Sequence, residues 1–263
     1  MIRICVSGSA GRMGRAIISL IPEEGVSLGA ALEREGHALL GTDAGALAGI
    51  EDTGVFLTSD AEAAIRASDV VVDFSAPAST MRLLELCIRE SKPLVIGTTG
   101  LSDDEKKRIQ EACHSIPVLH SPNMAVGVNV LFALVEQAAR MLRKGFDVEI
   151  AEIHHHFKKD APSGTAVRLK DIVRDVFATE ESEVLYGRKG MIGERRPGEI
   201  GVHALRGGDV VGEHTVFFFA EGERIELTHR ATSRTIFARG ALRAAKFLSG
   251  RPPGSYTMMD VLQ

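Results

Sequence analysis

The sequence predicts an α/β chain, with a doubly wound parallel sheet over the first half and a smaller α+β region with a mixed or antiparallel sheet after it. Two observations predict this. Up to residue 120, short β-branched runs alternate with helical stretches of about ten residues, which is the grammar of βαβ units. After Asn129 the pattern changes to strand-like runs separated by glycine turns. A chain of 263 residues fits one large domain or two modest ones.

Residues 2–7 read as a strand and 11–21 as a helix with apolar residues at helical spacing. A second strand follows at 26–32 and a short third at 55–57. Residues 61–67 read as a helix and 70–74 as a buried strand. The stretch 79–90 is amphipathic, with Met81, Leu84 and Ile88 on one side. Strand 93–96 precedes a helix over 102–114, whose start carries Ser102 and Glu105 at capping-box spacing. Residues 117–120 form the next strand. Beyond the change of grammar, 130–143 is a long helix, 147–156 alternates as a strand, and 163–178 is helical. The stretch 198–231 reads as strand, turn, strand, strand, with Arg206-Gly207-Gly208-Asp209 and Glu221-Gly222-Glu223 as hairpin turns. Residues 232–248 return to helix. The segment 121–129, with Pro122, Gly127 and two asparagines, suits a hinge between two domains.

Composition narrows the class. The chain is 44% hydrophobic and 25% charged, which is core-forming, and its net charge of −4 gives no reason to expect nucleic acid or an anionic membrane as partner. No apolar stretch reaches the ~18 residues of a membrane span. Cys5, Cys87 and Cys113 are odd in number and lack a CxxC pair, and the start MIRICVSG has no apolar signal region. A cytoplasmic protein is expected. Glycine is in excess: 27 are present, against about 18 at average usage. The surplus means either linkers or backbone that must come close to something.

The loop Gly8-Ser9-Ala10-Gly11-Arg12-Met13-Gly14 follows the first strand and opens the first helix. That is the context of a Rossmann-type dinucleotide site, where backbone N–H groups meet a pyrophosphate at a helix N-terminus. Its GxxGxxG spacing is one residue off the usual GxGxxG. Glu33, at the end of the second strand, is placed to accept from an adenosine ribose diol. Arg34 can instead meet the 2′-phosphate of NADPH. Asp73-Phe74-Ser75 and Gly97-Thr98-Thr99-Gly100 close two further strands, the ends at which open α/β sheets bind ligands.

His154, His155 and His156 are consecutive, followed by Phe157, Lys158, Lys159 and Asp160. Neighbouring strand residues point to opposite faces, so three adjacent histidines cannot converge on one metal ion, and no metal site is expected. A proton donor suits an imidazole better. Ala161-Pro162-Ser163-Gly164-Thr165 then opens a helix, with Ser163 as N-cap and the first-turn N–H groups as an anion pocket. With His155 and Lys158 just upstream, the segment is suited to carboxylates.

These motifs resemble one family, 4-hydroxy-tetrahydrodipicolinate reductase (dihydrodipicolinate reductase). The resemblance runs along nearly the whole chain: the glycine loop, Ala31-Leu32-Glu33-Arg34, Val72-Asp73-Phe74-Ser75, Gly97-Thr98-Thr99-Gly100 and Ser121-Pro122-Asn123-Met124. It continues from Glu152 through Thr165, over Arg206–His214, and over His229-Arg230-Ala231-Thr232-Ser233-Arg234. It implies an NADH- or NADPH-dependent oxidoreductase of diaminopimelate and lysine biosynthesis, usually a homotetramer, acting on a small dicarboxylate. It implies a dinucleotide-binding domain at 1–126 with 238–263 packed back on it, and a substrate-binding and oligomerisation domain at 127–237. His154 would be the catalytic proton donor and Lys158 its partner. His155, Lys158, Ser163, Gly164 and Thr165 would contact substrate. Gly8, Ser9, Ala10, Gly11, Arg12, Met13, Glu33, Arg34, Gly97, Thr98, Thr99, Ser121, Pro122, Asn123 and Met124 would contact the cofactor. Phe157 stands where the family often has histidine, and it cannot donate to a carboxylate.

Two rival readings fit the glycine loop alone: another two-domain NAD(P)-dependent dehydrogenase, acting on an aldehyde or a sugar, and a dinucleotide-binding redox sensor without chemistry. The anion pocket beside the His–Lys run separates the first from a dicarboxylate reductase. A sensor needs no proton donor.

Overall fold

Alternate residues of β1 (Arg3–Ser7) face two different cores: Ile4 and Val6 join one apolar cluster and Cys5 the other. β4 (Val70–Asp73) divides in the same way, Val70 and Val72 against Val71. Burial of both faces is what a parallel sheet requires. The computed structural model describes residues Met1–Gln263, Ser182 by its backbone alone. Two units result, Met1–Val126 with Thr235–Gln263, and Gly127–Arg234.

The first unit is a seven-stranded sheet. Its other strands are β2 (Ser27–Leu32), β3 (Leu57–Thr58), β5 (Leu94–Ile96), β6 (Pro117–His120) and β12 (Gly254–Tyr256), in the order β12-β6-β5-β4-β1-β2-β3. All its strand pairings are parallel. One face is covered by α1 (Arg12–Leu20) and by α8 (Thr235–Leu248), which supplies Ala238, Ala241, Leu242, Ala244, Ala245 and Leu248. The other is covered by α3 (Ala61–Arg66), α4 (Pro77–Arg89) and α5 (Asp103–Ala112). The capping box of α5 forms as the sequence predicts, Glu105 N donating to Ser102 Oγ and Ser102 N to the Glu105 carboxylate. Such a cap contributes about 1 kcal/mol. Pro77 sits in the first turn of α4, so that helix starts two residues earlier than its apolar spacing suggests.

Two elements of this unit escape the pattern. α2 (Ala44–Ala48) is too short to show periodicity, and it is held by Asp43, whose carboxylate accepts from the N–H groups of Gly45, Ala46, Thr53 and Gly54. β12 is a three-residue edge strand with no apolar run to announce it.

The second unit is a mixed five-stranded sheet of β7 (Asp147–His154), β8 (Val184–Leu185), β9 (Ile200–Arg206), β10 (Gly212–Ala220) and β11 (Glu223–Ala231), in the order β11-β10-β7-β9-β8. β10 is antiparallel to β11 and β7, while β9 is parallel to both β7 and β8. α6 (Val126–Met141) and α7 (Gly164–Phe177) contribute Leu131, Val135, Leu169 and Val173 to a core with Val148, Ile150, Val216 and Phe218.

One of the two expected hairpins forms. Glu221-Gly222 joins β10 to β11, with Gly222 at φ +82° and Ala220 paired to Glu223. Arg206-Gly207-Gly208-Asp209 is not a hairpin turn, because β7 lies between β9 and β10. The segment instead wraps over the end of β7: Gly207 N donates to His154 O, His155 N to Val210 O and His156 N to Gly208 O, at 2.8–3.2 Å. A left-handed glycine such as Gly208 (φ +53°) turns the chain equally well in either setting. Which setting forms is decided by the strand that inserts.

No helix among the described residues is long and apolar enough to cross a membrane.

Candidate active site

In the first unit, the loop after β1 is built on contacts that exclude side chains. Gly8 lies at φ +75°, and a Cβ there would fall 2.5 Å from Phe74 O. Gly11 N donates to Gly8 O at 3.0 Å. A Cβ on Gly14 would overlap Gly8 O, so Gly14 lets α1 pack on its own loop rather than opening a path to a ligand. Gly11 is the N-cap of α1, and no side chain caps it among the described residues. Glu33 braces the loop: Ala10 N donates to Oε2 at 3.1 Å and Arg34 N to Oε1 at 2.9 Å. A pocket of about 450 Å³ opens beside it, lined by Gly8, Gly11, Glu33, Arg34, Phe74, Ser75 and Arg82 among others. A glycine loop without side chains, an uncapped helix start and a carboxylate at the end of β2 fit a nicotinamide dinucleotide.

The loops after β4 and β5, which the sequence placed at ligand-binding strand ends, are tied together by the carboxylate of Asp73. Asp73 is fully buried and accepts from Ser75 Oγ (2.6 Å), Thr80 Oγ1 (2.5 Å) and Thr98 Oγ1 (2.9 Å). Ser75 N in turn donates to Thr98 Oγ1 at 3.1 Å. Gly97 is buried with its Cβ direction filled by the Phe74 ring, so its lack of a side chain accommodates a neighbour in the same unit. Thr99 and Gly100 are exposed, Gly100 at φ +82°.

The remaining predicted cofactor residues fall into two groups. Ser9 and Met124 are buried: the Ser9 hydroxyl donates to Val6 O at 2.7 Å, and the Met124 side chain belongs to the core under α8. Their main chains are what they can offer a ligand. Arg12, Arg34 and Pro122 are exposed, Met13 and Asn123 half-buried. Ser121 Oγ donates to Asn123 O at 2.8 Å, shaping that loop.

In the second unit, β7 alternates Val148, Ile150, Glu152, His154 toward its helices, so a carboxylate and an imidazole end the buried stripe. His154 is 9% exposed, and its Nδ1 lies 2.5 Å from Glu152 Oε2. Burial works against the Glu152 charge, but Arg206, His154 and the Ser163 N–H outweigh it and hold the carboxyl below its ordinary pKa. His214, opposite Glu152 on β10, meets the His154 ring edge-on at 5.2 Å. Burial, aided by repulsion from His154, pushes His214 down to about 4, so it is neutral at pH 7.

Beyond β7 the chain collects cations. Lys158 Nζ pairs with Asp160 at 2.9 Å. Burial and the positive charges of Arg234, His154 and Lys158 lower the pKa of His155, and its Nδ1 has no hydrogen-bond partner among the described residues. His156 is exposed and packs on Phe157 at 3.8 Å. Ser163 caps α7 as expected, accepting from Ala166 N at 3.2 Å, but it is 2% exposed and its hydroxyl also meets His214 Nε2 at 3.0 Å. Gly164 is exposed with open space around its Cβ direction, and Thr165 is half-buried. The structure therefore brings His154, His155, Lys158 and the start of α7 together. It adds Glu152, Arg206, His214 and Arg234, to which sequence reasoning gave no function. The signal for Glu152 was present: an acidic residue in the buried register of a strand, two positions before a histidine.

Comparison with known proteins gives the family. Residues 2–124 match the family model described as dihydrodipicolinate reductase, N-terminus, and residues 127–262 the model for its C-terminus. A 4-hydroxy-tetrahydrodipicolinate reductase of Anaeromyxobacter sp. is 54% identical over 100% of this chain and 98% of its own. One from Syntrophotalea carbinolica is 50% identical over 100% and 99%. Among solved structures, dipicolinate-bound dihydrodipicolinate reductase from Paenisporosarcina sp. superposes with a TM-score of 0.80 over 100% of both chains at 23% identity, which speaks for the fold. The chain belongs to the dihydrodipicolinate reductase family and is an NAD(P)H-dependent oxidoreductase.

Proposed function

We propose that the chain reduces 4-hydroxy-tetrahydrodipicolinate to tetrahydrodipicolinate with NADH or NADPH, a step of diaminopimelate and lysine biosynthesis. The observation that carries this is the carboxylate-anchored imidazole of His154, whose Glu152 partner also accepts from Ser163 N at the start of α7, followed by a segment where the charges of Lys158 and Arg234 act on His155. A proton donor next to an anion-collecting surface is what reduction of a dicarboxylate requires. The unit Met1–Val126 with Thr235–Gln263 is read as the dinucleotide-binding domain, and Gly127–Arg234 as the substrate-binding and oligomerisation domain.

When bound, the dihydronicotinamide supplies a hydride to the conjugated, imine-like ring of the substrate. The residues of this chain do the rest. The loop Gly8 to Met13 would hold the pyrophosphate at the start of α1, with the first-turn N–H groups of Arg12 and Met13 toward it, while Gly8, Ser9, Ala10 and Gly11 donate theirs within the loop and to Leu32 and Glu33. Glu33 would accept from the adenosine ribose and Arg34 would meet a 2′-phosphate. Thr98 and Thr99, with Ser121 to Met124, form the rim for the nicotinamide, held in shape by Asp73. Lys158, His155, Gly164 and Thr165 take the substrate carboxylates, with Ser163 fixing the helix start. A carboxylate competes with Asp160 for the Lys158 ammonium. His154 delivers a proton to the carbon where negative charge develops, and Lys158 stabilises that charge. The pyridine dicarboxylate named for the Paenisporosarcina structure has the charge and shape this segment suits.

A homotetramer is part of the reading. On the sheet face away from α6 and α7, Phe217 and Phe219 stack at 5.6 Å, an apolar pair suited to a second copy. Three buried free thiols and biosynthetic relatives support a cytoplasmic location.

The test is dihydronicotinamide oxidation upon addition of freshly generated substrate, compared with a panel of aldehydes and sugars. Oxidation with the dicarboxylate alone is expected. Turnover only with an aldehyde or sugar would favour another dehydrogenase, and binding without any turnover would favour a sensor.

A further inference from the structure

Glu152 is fully buried and its carboxylate is engaged from three elements. His154 Nδ1 lies 2.5 Å from Oε2 on the same strand. Arg206 of β9 donates to both oxygens at 2.8 Å. Ser163 N, at the start of α7, donates to Oε1 at 3.0 Å. A fold gains little from such a group, since a buried ion pair is commonly no more stabilising than apolar residues of the same volume. Its placement two residues from His154, on the same face, points to the imidazole instead.

An ionised carboxylate only accepts, so the hydrogen between the two residues sits on Nδ1 and Nε2 is left to exchange. The Nε2 edge is also kept open. A Cβ on Gly212 would fall 3.0 Å from it.

We infer that Glu152, locked by Arg206, is a positioning residue that fixes the tautomer and plane of His154, so that Nε2 carries the transferred proton. The inference rests on His154 being the proton donor. In the step, the imidazolium, loaded with a proton at Nε2 from solvent, loses that Nε2–H as the C–H bond forms at the carbon made electron-rich by hydride addition. The bonding pair stays on Nε2, and the neutral ring keeps its Nδ1–H, still donated to Glu152. The charged and titratable groups around the imidazole are Glu152 on its own strand, Arg206 on β9, His214 on β10, and His155, Lys158 and Asp160 beyond β7.

The experiment compares Glu152→Gln, Glu152→Asp and His154→Gln by steady-state kinetics across pH, with ¹⁵N spectra of the histidines in the intact protein. Glu152→Gln should lower kcat about 100-fold with KM little changed, and move the alkaline limb of the kcat/KM profile to lower pH. Glu152→Asp should recover part of the loss, which a merely structural role does not require. Wild-type His154 should show a protonated Nδ1. The inference is overturned if Glu152→Gln keeps wild-type kcat and pH profile while His154→Gln is inactive, or if wild-type His154 is the Nε2–H tautomer. Near-normal turnover in His154→Gln removes the acid role itself, whatever Glu152 does. Should Glu152→Gln fail to fold, Glu152→Asp and the wild-type spectra decide.

Discussion

The Phe74 ring occupies the space that a side chain at Gly97 would need: a Cβ built there overlaps the Cε1 and Cζ atoms. This contact sets the spacing of the loops after β4 and β5, which Asp73 ties by hydrogen bonds to Ser75 and Thr98. Gly97→Ala must push the ring or the loop aside, an overpacking that costs about 1–3 kcal/mol. Thermal unfolding should show a lower Tm, and fluorescence titration a weaker affinity for NADH. An unchanged Tm would mean that Phe74 can swing away.

Arg34 is exposed at the pocket that holds Glu33. If it reads the 2′-phosphate, Arg34→Ala removes a charge-assisted contact of about 1.5–3 kcal/mol, and the KM for NADPH rises roughly 10- to 150-fold. The KM for NADH should stay within about twofold. An equal rise with both cofactors would show that the guanidinium does not discriminate between them.

Acid stability should depend on Glu149, which lies on β7 facing away from the core. Burial opposes its charge, but Arg188, His203 and Arg195 hold its pKa down at about 2. A carboxylate whose folded pKa is depressed contributes stability that is fully present above its ordinary value and is lost as pH falls through the folded one. The shift corresponds to something on the order of 3 kcal/mol. Denaturant unfolding at pH 7, 4 and 3 should show that loss in the wild-type protein and a flatter dependence in Glu149→Gln, which starts less stable at pH 7. Parallel curves for the two proteins would remove Glu149 from the acid response.

Oligomerisation through the outer sheet face is tested at Phe217. Phe217→Glu places a charge in the stacked pair with Phe219 and, opposite Glu226 in the β10–β11 register, beside a like charge. Light scattering should show a tetramer for the wild-type chain and a smaller species for the variant. A tetramer in both would move the interface elsewhere.

The strand–helix alternation, the capping box of Ser102 and Glu105, the dinucleotide loop and the His154–Thr165 run were all legible as local patterns. Each is specified by residues within a few positions of one another, where propensity and periodicity act. The glycine surplus was legible as a number but not in its use. Gly14 and Gly97 face atoms of their own unit, so both serve packing where the sequence suggested room for a ligand.

By itself the sequence determined the α/β class, the parallel order of strands joined by helices, and the identity of the histidine, lysine and glycine-loop residues on which the chemistry rests. Only the tertiary structure decided that β7 inserts between β9 and β10, turning an apparent hairpin into a strap over the end of the His154 strand. The same insertion sets Arg206 beside His154 in the β7–β9 register and His214 beside Glu152 in the β7–β10 register. The residues of this network are up to 62 positions apart in the chain, Glu152 to His214. Pairing over such separations is set by which apolar faces bury together, and no local pattern records it.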